Sequence, residues 1–221
     1  IGGEELHLPD DVPANQYVTF KGGKASASRG VGMTIEEGLK RFQPDSLRYA
    51  LAANFPEQAD TEISIEEIAR RVNDELVANW GNLVNRVISM THKTCGGAVA
   101  KPGTYSEEDV SLLEFVDRSL EESAGLFESV ELRSALRKGM EAAQAANRYL
   151  NATEPWKLSK TDPERAKTVL YVALSAINGI RVMLSPFLPF SSEKLNEFLG
   201  EPEGWQRIQL PVGLPIPKPE P

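Results

Sequence analysis

The sequence predicts a mainly α-helical protein: an antiparallel helix bundle preceded by a small segment that mixes α and β structure. Proline is absent between Pro56 and Pro102, between Pro102 and Pro155, and between Pro163 and Pro186, whereas the last eleven residues hold five prolines. Because proline interrupts helices, these gaps predict long helices followed by a proline-rich end. Apolar residues spaced three, four and seven apart, together with helix-capping sequences, support the same architecture.

The N-terminal segment is predicted to be irregular up to residue 33, apart from a strand-like run at residues 17–20. Thr34-Ile35-Glu36-Glu37 forms a capping box, which predicts a helix start. Pro44 suits a first helical turn and predicts a second helix to about Ala53. Residues 55–60 then form a predicted linker and a candidate domain boundary.

A second capping box, Ser64-Ile65-Glu66-Glu67, begins the longest predicted helix, which runs to about Thr94 and ends at Gly96-Gly97. Further helices are predicted at about 107–127 and 131–150, then from Asp162-Pro163 to Pro186, with a short one at about 192–199. The inward-facing positions of the longest helix are predicted to be Ile65, Ile68, Val72, Leu76, Leu83, Val87 and Met90.

The composition excludes several classes of protein. A net charge of −8 argues against nucleic-acid binding through the whole surface but leaves a local face open. One cysteine cannot form an internal disulfide, and two histidines argue against an ordinary Cys/His zinc site. No apolar run near the length of a membrane helix and no leader-like start are apparent, which predicts a cytoplasmic protein without membrane contact.

Two groups of polar residues are candidates for binding. The loop at residues 22–32 combines glycines with Ser26, Ser28, Lys24 and Arg29, groups that suit a polyphosphate; a plain surface loop is the alternative. A polar stripe on the longest helix lies in a stretch without acidic residues from Gly81 to Lys101. This stripe suits RNA bases and phosphates, or is simply a solvated helix face. Its members are Asn82, Asn85, Arg86, Ser89 and Lys93.

Trp156 is the third candidate. It follows Pro155 in a predicted break between helices. An indole there either caps the bundle core or offers a stacking surface to an unpaired base.

The chain resembles the methionyl-tRNA synthetases, a family of class I aminoacyl-tRNA synthetases. Residues 23–30 are similar to the KMSKS signature loop of class I enzymes. Matches to the methionyl family follow in order along nearly the whole chain. They are Pro44-Asp45-Ser46-Leu47-Arg48-Tyr49, residues 54–61, Asn73-Asp74-Glu75-Leu76, residues 81–86, residues 147–150 with Glu154-Pro155-Trp156, and residues 185–190.

The resemblance implies three regions. Residues 1–62 would be the edge of a Rossmann catalytic domain with its stem-contact helices, residues 63–200 the anticodon-binding bundle, and residues 201–221 a proline-rich tail. The bundle would bind methionine tRNA and read its CAU anticodon, with Trp156 stacking on a base. The family's anticodon-contacting Asn and Arg fall at Ser89 and Lys93, so the side chains differ here.

For the catalytic end, the resemblance implies ATP with Mg²⁺ and methionine as reactants of the complete enzyme, with Lys24, Ser26, Ser28 and Arg29 near ATP. Ala25 and Ala27 replace the Met and the second Lys of the signature. The family's HIGH-type signature is not found around His7 or His92, so a separate or upstream catalytic half is expected as partner. The chain alone is expected neither to bind ATP nor to activate methionine. Alternatives are a non-catalytic tRNA-binding module and a helical protein-interaction scaffold.

Overall fold

A small sheet and two short helices form the N-terminal unit. The computed structural model describes Pro9 and residues 11–20, 23–24, 32–200 and 204–218. Strand β1 (Val18–Phe20) is central: it pairs antiparallel with β2 (Gly23–Lys24) and parallel with β3 (Thr61–Ile63). The strand-like run at residues 17–20 is therefore confirmed as β1, and β3 follows the predicted linker.

Helix α2 (Pro44–Ala53) packs on this sheet, and the short helix α1 (Ile35–Leu39) packs on α2. Thr34 and Glu37 form the expected capping box, with the Glu37 N–H donating to Thr34 Oγ1 at 3.2 Å. A small core contains Phe20, Leu47, Ala50, Ile63 and Ile68. Its last two members lie beyond residue 62, so the chain after the expected boundary also packs against this unit.

The remaining helices form the bundle and its cover. Their bounds are α3 (Ile65–Arg71), a π-helical segment (Val72–Gly81), α4 (Asn82–Cys95), α5 (Glu107–Glu128), α6 (Leu132–Thr153), α7 (Pro155–Thr161), α8 (Pro163–Leu184) and α9 (Pro189–Leu199).

The longest predicted helix is continuous but not uniformly α-helical, because its middle ten residues form the π-helical segment. In a π-helix the backbone hydrogen bonds join residues five apart rather than four. Near the end of the segment, Asn79 O also accepts a hydrogen bond from Asn147 Nδ2 of α6 at 3.1 Å, and the same nitrogen contacts Asn79 Oδ1 at 2.9 Å. Asn79 Nδ2 in turn donates to Met140 O at 3.1 Å. These hydrogen bonds join the π-helical segment to α6.

Helix α8 lies at the centre of the bundle against α4, α5, α6 and α7. Among the described helices it alone is long and apolar enough to meet the length and composition of a membrane span, which corrects the expectation that no such run exists. However, 94% of that stretch is buried inside the protein. Helix α8 is therefore the core helix of the bundle.

A break between helices does precede Trp156, at the left-handed residue Glu154, but Pro155 is the first residue of a short helix, α7, where no helix is predicted. Proline at the first helical position needs no N–H partner and has a suitable φ, which explains the start. In the same way α9 begins at Pro189 rather than near residue 192.

The C-terminal tail lies along the bundle. Trp205 Nε1 donates to Leu120 O of α5 at 2.9 Å, and its ring packs edge-on against Phe127. Further on, Gly213 N and Ile216 N donate to the carbonyls of Val99 and Gly97, both at 2.8 Å. The tail thereby covers the loop that follows α4.

Candidate nucleic-acid interface

Helix α4 has one buried side and one polar side. Leu83, Val87 and Ile88 are at most 3% exposed and face α8 and the core. The predicted polar stripe lies on the outside: Asn82, Asn85 and Lys93 are exposed, whereas Arg86 and Ser89 are half-buried. The Gly96 cap, with φ of 68°, ends the helix where the sequence predicts. The structure therefore brings the five predicted polar residues onto one surface.

Two residues of this surface are paired with each other. Ser89 Oγ donates to Asn85 Oδ1 at 3.3 Å, and the exposed Asn85 side chain also carries an amide nitrogen that can donate. Asn82 Nδ2 lies 3.4 Å from the Ala78 carbonyl in the π-helical segment. Amide and hydroxyl groups held in this way offer both donors and acceptors to a base edge.

Arg86 and Trp156 are in direct contact. The Arg86 Cζ lies 5.6 Å from the centre of the Trp156 ring, within the range of a cation–π interaction. Arg86 Nη2 also donates to Asn151 Oδ1 of α6 at 3.2 Å. Trp156 is 39% exposed, so it does not cap the bundle core. Residues from α4, α6 and α7 thus meet at one place.

The junction between α6 and α7 orients Trp156. Glu154 has a left-handed backbone, with φ of 44° and ψ of 57°, an uncommon conformation for a residue other than glycine. Buried Pro155 then starts α7, and Lys157 Nζ forms an ion pair with Glu154 at 2.7 Å. The next residue, Trp156, lies in the first turn of α7 and contacts Arg86 of α4.

A buried ionic network joins the helix ends behind this surface. Asp109 of α5 is fully buried and accepts hydrogen bonds from Arg165 Nη2 at 2.8 Å and Tyr149 Oη at 2.6 Å. Burial opposes ionisation of Asp109, but the hydrogen bonds from Arg165, Tyr149 and Ser106 outweigh it and lower its pKa. Burial, with Asp109 beside it, raises the pKa of Tyr149. Tyr149 therefore donates to a carboxylate, two residues before Asn151.

Family models match both parts of the chain. The model for class I tRNA synthetases of the methionyl type matches residues 1–88. The model for the anticodon-binding domain of methionyl-tRNA ligase matches residues 99–210, just over half of the chain.

The chain belongs to the methionyl-tRNA ligase family.

Individual relatives agree with this assignment. The methionine–tRNA ligase of Roseiflexus sp. (strain RS-1) is 48% identical over 200 residues, covering 90% of this chain and 34% of that protein. The Chloroflexus aurantiacus enzyme is 37% identical over 250 residues, covering 99% of this chain and 42% of that protein. A Mycobacterium tuberculosis methionyl-tRNA synthetase structure, solved with methionyl-adenylate, superposes with a TM-score of 0.85 at 28% identity, covering 94% and 42% of the two chains. The chain thus spans between one third and one half of these proteins.

The first match ends within α4, at residue 88, and the second begins after α4, at residue 99. Asn82, Asn85 and Arg86 lie within the first match and Trp156 within the second, whereas Ser89 and Lys93 lie between them. The two surfaces that meet at the Arg86–Trp156 contact therefore belong to different matched regions of a methionyl-tRNA ligase.

The predicted ATP loop falls mostly outside the described residues. Lys24 lies in β2, where its backbone pairs with Thr19, and only its backbone is described. Ser26, Ser28 and Arg29, with Ala25 and Ala27, lie outside the described residues. Among the residues that the structure describes, no group of three His, Cys, Asp or Glu side chains is arranged to hold a metal ion.

Sequence reasoning missed Asn151 and the helical nature of α7. The matched motif at residues 147–150 ends one residue before Asn151, whose importance depends on a contact with Arg86, 65 residues earlier. The signal for α7 was Pro155 itself, which is as typical of a first helical position as of a break.

Proposed function

We propose that this chain is the tRNA-binding portion of a methionyl-tRNA synthetase, which attaches methionine to its tRNA at the expense of ATP in the cytoplasm. The outer surface of α4, together with Trp156, contacts the CAU anticodon. The tRNA is the partner of this part. Methionine and ATP are substrates of the complete enzyme, whose catalytic half makes up much of the remaining length of the relatives.

The Arg86–Trp156 contact carries this proposal. It places a 39% exposed indole beside a helix surface that has cations and amides but no acidic residue between Gly81 and Lys101. Unpaired RNA bases bind to exposed aromatic rings, with about 1–3 kcal/mol for each stacked base, and their phosphates bind to nearby cations. In a chain with a net charge of −8, this local positive surface favours one specific RNA contact over general binding.

The roles of single side chains follow from their positions. Trp156 stacks on an anticodon base, while Asn82, Asn85 and Ser89 offer hydrogen bonds to base edges. Lys93 lies near the exposed end of α4 and contacts a phosphate. In the complete enzyme, Lys24, Ser26, Ser28 and Arg29 contribute hydroxyl groups and positive charge to the binding of ATP and its Mg²⁺, without the lysine that Ala27 replaces.

The test is a binding titration with the purified chain and anticodon stem-loop RNAs that carry CAU or an altered triplet. We expect tighter binding of CAU and a loss of about ten-fold or more for Trp156→Ala, as removal of a base-stacking ring predicts. Phe190→Ala is the matched control, because Phe190 is an exposed aromatic residue on α9. Its affinity for the RNA should stay unchanged.

Two other results would overturn the proposal in different ways. Equal, salt-sensitive binding of both RNAs would indicate a non-specific RNA-binding module. If the folded chain binds neither RNA, the remaining alternative is a helical protein-interaction scaffold. Addition of a matching catalytic half tests the remainder of the proposal, since restored charging of methionine tRNA requires both parts.

A further inference from the structure

In the free protein, one face of the Trp156 indole is in contact with Arg86. Its ring has two faces, and the Arg86 guanidinium, 5.6 Å from the ring centre, lies over one of them. Trp156 is nevertheless 39% exposed, so part of its surface remains open to a ligand. A cation over one face of an indole favours one orientation of the ring.

Asn151 fixes the guanidinium itself. Arg86 carries a long side chain with many rotamers, and its position over the ring costs conformational entropy unless a second contact restrains it. The hydrogen bond from Arg86 Nη2 to Asn151 Oδ1, at 3.2 Å, is that contact. Asn151 lies in the last turn of α6 and Trp156 in the first turn of α7. Arg86 of α4 contacts both residues and so links the three helices.

The acceptor is an amide rather than a carboxylate, which has an electrostatic consequence. A neutral amide holds the guanidinium without neutralising it, so its positive charge remains next to the indole. Glu154, two residues before Trp156, is paired with Lys157 at 2.7 Å. Arg86 therefore keeps its positive charge beside the Trp156 ring, and the Glu154 carboxylate is balanced by Lys157.

We propose that Arg86 and Asn151 are positioning residues that hold the Trp156 indole with one face against the guanidinium and the opposite face open to a nucleobase. The identity of that base rests on the proposed function. The bracing of the ring is a property of the free protein, so the two are tested separately. Arg86 then acts on the RNA through Trp156 rather than by a direct phosphate contact.

The first experiment uses ¹⁹F NMR of the free chain labelled with 5-fluorotryptophan. Three signals are expected, from Trp80, Trp156 and Trp205, and Trp156→Phe assigns the relevant one. Arg86→Ala and Asn151→Ala should each shift the Trp156 signal and increase its sensitivity to solvent. The buried Trp80 and the anchored Trp205 should keep their signals, which shows that the variants are folded.

Matched controls remove a guanidinium and a side-chain amide from other parts of the bundle. Arg118→Ala on α5 and Gln144→Ala on α6 change exposed residues and should leave the Trp156 signal in place. Asn151→Asp retains an acceptor for Arg86 and should keep the signal close to that of the wild type. An unchanged Trp156 signal in Arg86→Ala would overturn the proposal, whatever the RNA affinity.

The second experiment titrates the CAU anticodon stem-loop across a salt series. Arg86→Ala should weaken binding about five-fold to ten-fold with an unchanged dependence on salt, since no phosphate contact is lost. A salt slope reduced by about 0.7–0.9 would instead identify Arg86 as a phosphate contact and overturn its positioning role. If Trp156→Ala leaves RNA affinity unchanged while the NMR results hold, the proposed function fails and the bracing of the ring stands.

Discussion

Asp45, in the first turn of α2, accepts hydrogen bonds from both the backbone N–H and the hydroxyl of Ser191, which lies 146 residues further along the chain in α9. The N–H contact is 2.7 Å. On the next turn of α2, Arg48 Nη2 donates to the Pro186 carbonyl at 2.7 Å. Two sequence motifs from opposite ends of the chain thus join the N-terminal unit to the bundle.

The Asp45 contact leads to the first prediction. Asp45→Ala removes the acceptor for the first turn of α9 and leaves the Ser191 N–H without it, so the free energy of unfolding should fall by about 2 kcal/mol. Urea denaturation followed by circular dichroism measures the change. Asp74→Ala is the matched control, because Asp74 is exposed in the π-helical segment, and it should change stability by less than about 0.5 kcal/mol. Equal effects of the two substitutions would contradict a structural role for the Asp45–Ser191 contact.

The buried network around Asp109 leads to the second prediction. Tyr149→Phe removes one donor from a buried carboxylate and should lower the free energy of unfolding by about 1.5–3 kcal/mol. Asp109→Ala should cost more, about 3 kcal/mol or above, because it leaves Arg165 without its bidentate partner. Tyr105→Phe, at an exposed tyrosine, serves as the control for loss of a phenol hydroxyl. A smaller effect for Asp109→Ala than for Tyr149→Phe would contradict the network.

The pH dependence of stability leads to the third prediction. The pKa of Asp109 is lower in the folded chain than its unfolded value of about 3.9, so the unfolded state binds more protons between these two values. The stabilisation from Asp109 is therefore complete above about pH 5 and is lost as the pH falls through the folded pKa. We expect the free energy of unfolding of the wild type to fall more steeply below pH 4 than that of Asp109→Asn. Parallel curves for the two proteins would exclude this contribution.

Two helical glycines provide a matched pair for the fourth prediction. A Cβ on Gly179 of α8 would lie 2.5 Å from Val116 Cγ1 of α5, whereas one on Gly125 of α5 would meet no atom within 4 Å. Gly179→Ala should therefore destabilise the bundle by about 1–3 kcal/mol through overpacking. Gly125→Ala should stabilise it by about 0.5–1 kcal/mol, because alanine is the better helix former. Thermal unfolding distinguishes the two, and a shared sign would contradict the close approach of α5 and α8.

Salt dependence of RNA binding tests the role of Lys93. If Lys93 contacts a phosphate, Lys93→Gln should lower the slope of log affinity against log salt by about 0.7–0.9. Lys194→Gln on α9 removes an exposed charge from another part of the bundle and should leave the slope unchanged. The measurement is a titration of the CAU stem-loop at several salt concentrations. An unchanged slope in Lys93→Gln would remove Lys93 from the interface.

Local sequence signals predicted most of the helices. Capping residues and prolines act within a single helical turn, so they can be recognised without knowing the fold. Helix α2 has the predicted bounds, and the ends of α5 and α6 differ from prediction by no more than three residues. The polar stripe from Asn82 to Lys93 also follows from helical periodicity alone. The π-helical form of Val72–Gly81 was not predicted, because the apolar spacing of the sequence there indicates an ordinary α-helix.

The sequence by itself determined the helical bundle, the family and one polar surface of α4, since these depend on periodicity, caps and ordered motifs. Only the tertiary structure decided that Trp156 lies against Arg86, that Asn151 restrains Arg86, and that Asp45 binds the start of α9. Each of these contacts joins residues at least 65 positions apart. Their geometry depends on how whole helices pack, which no local pattern of residues specifies.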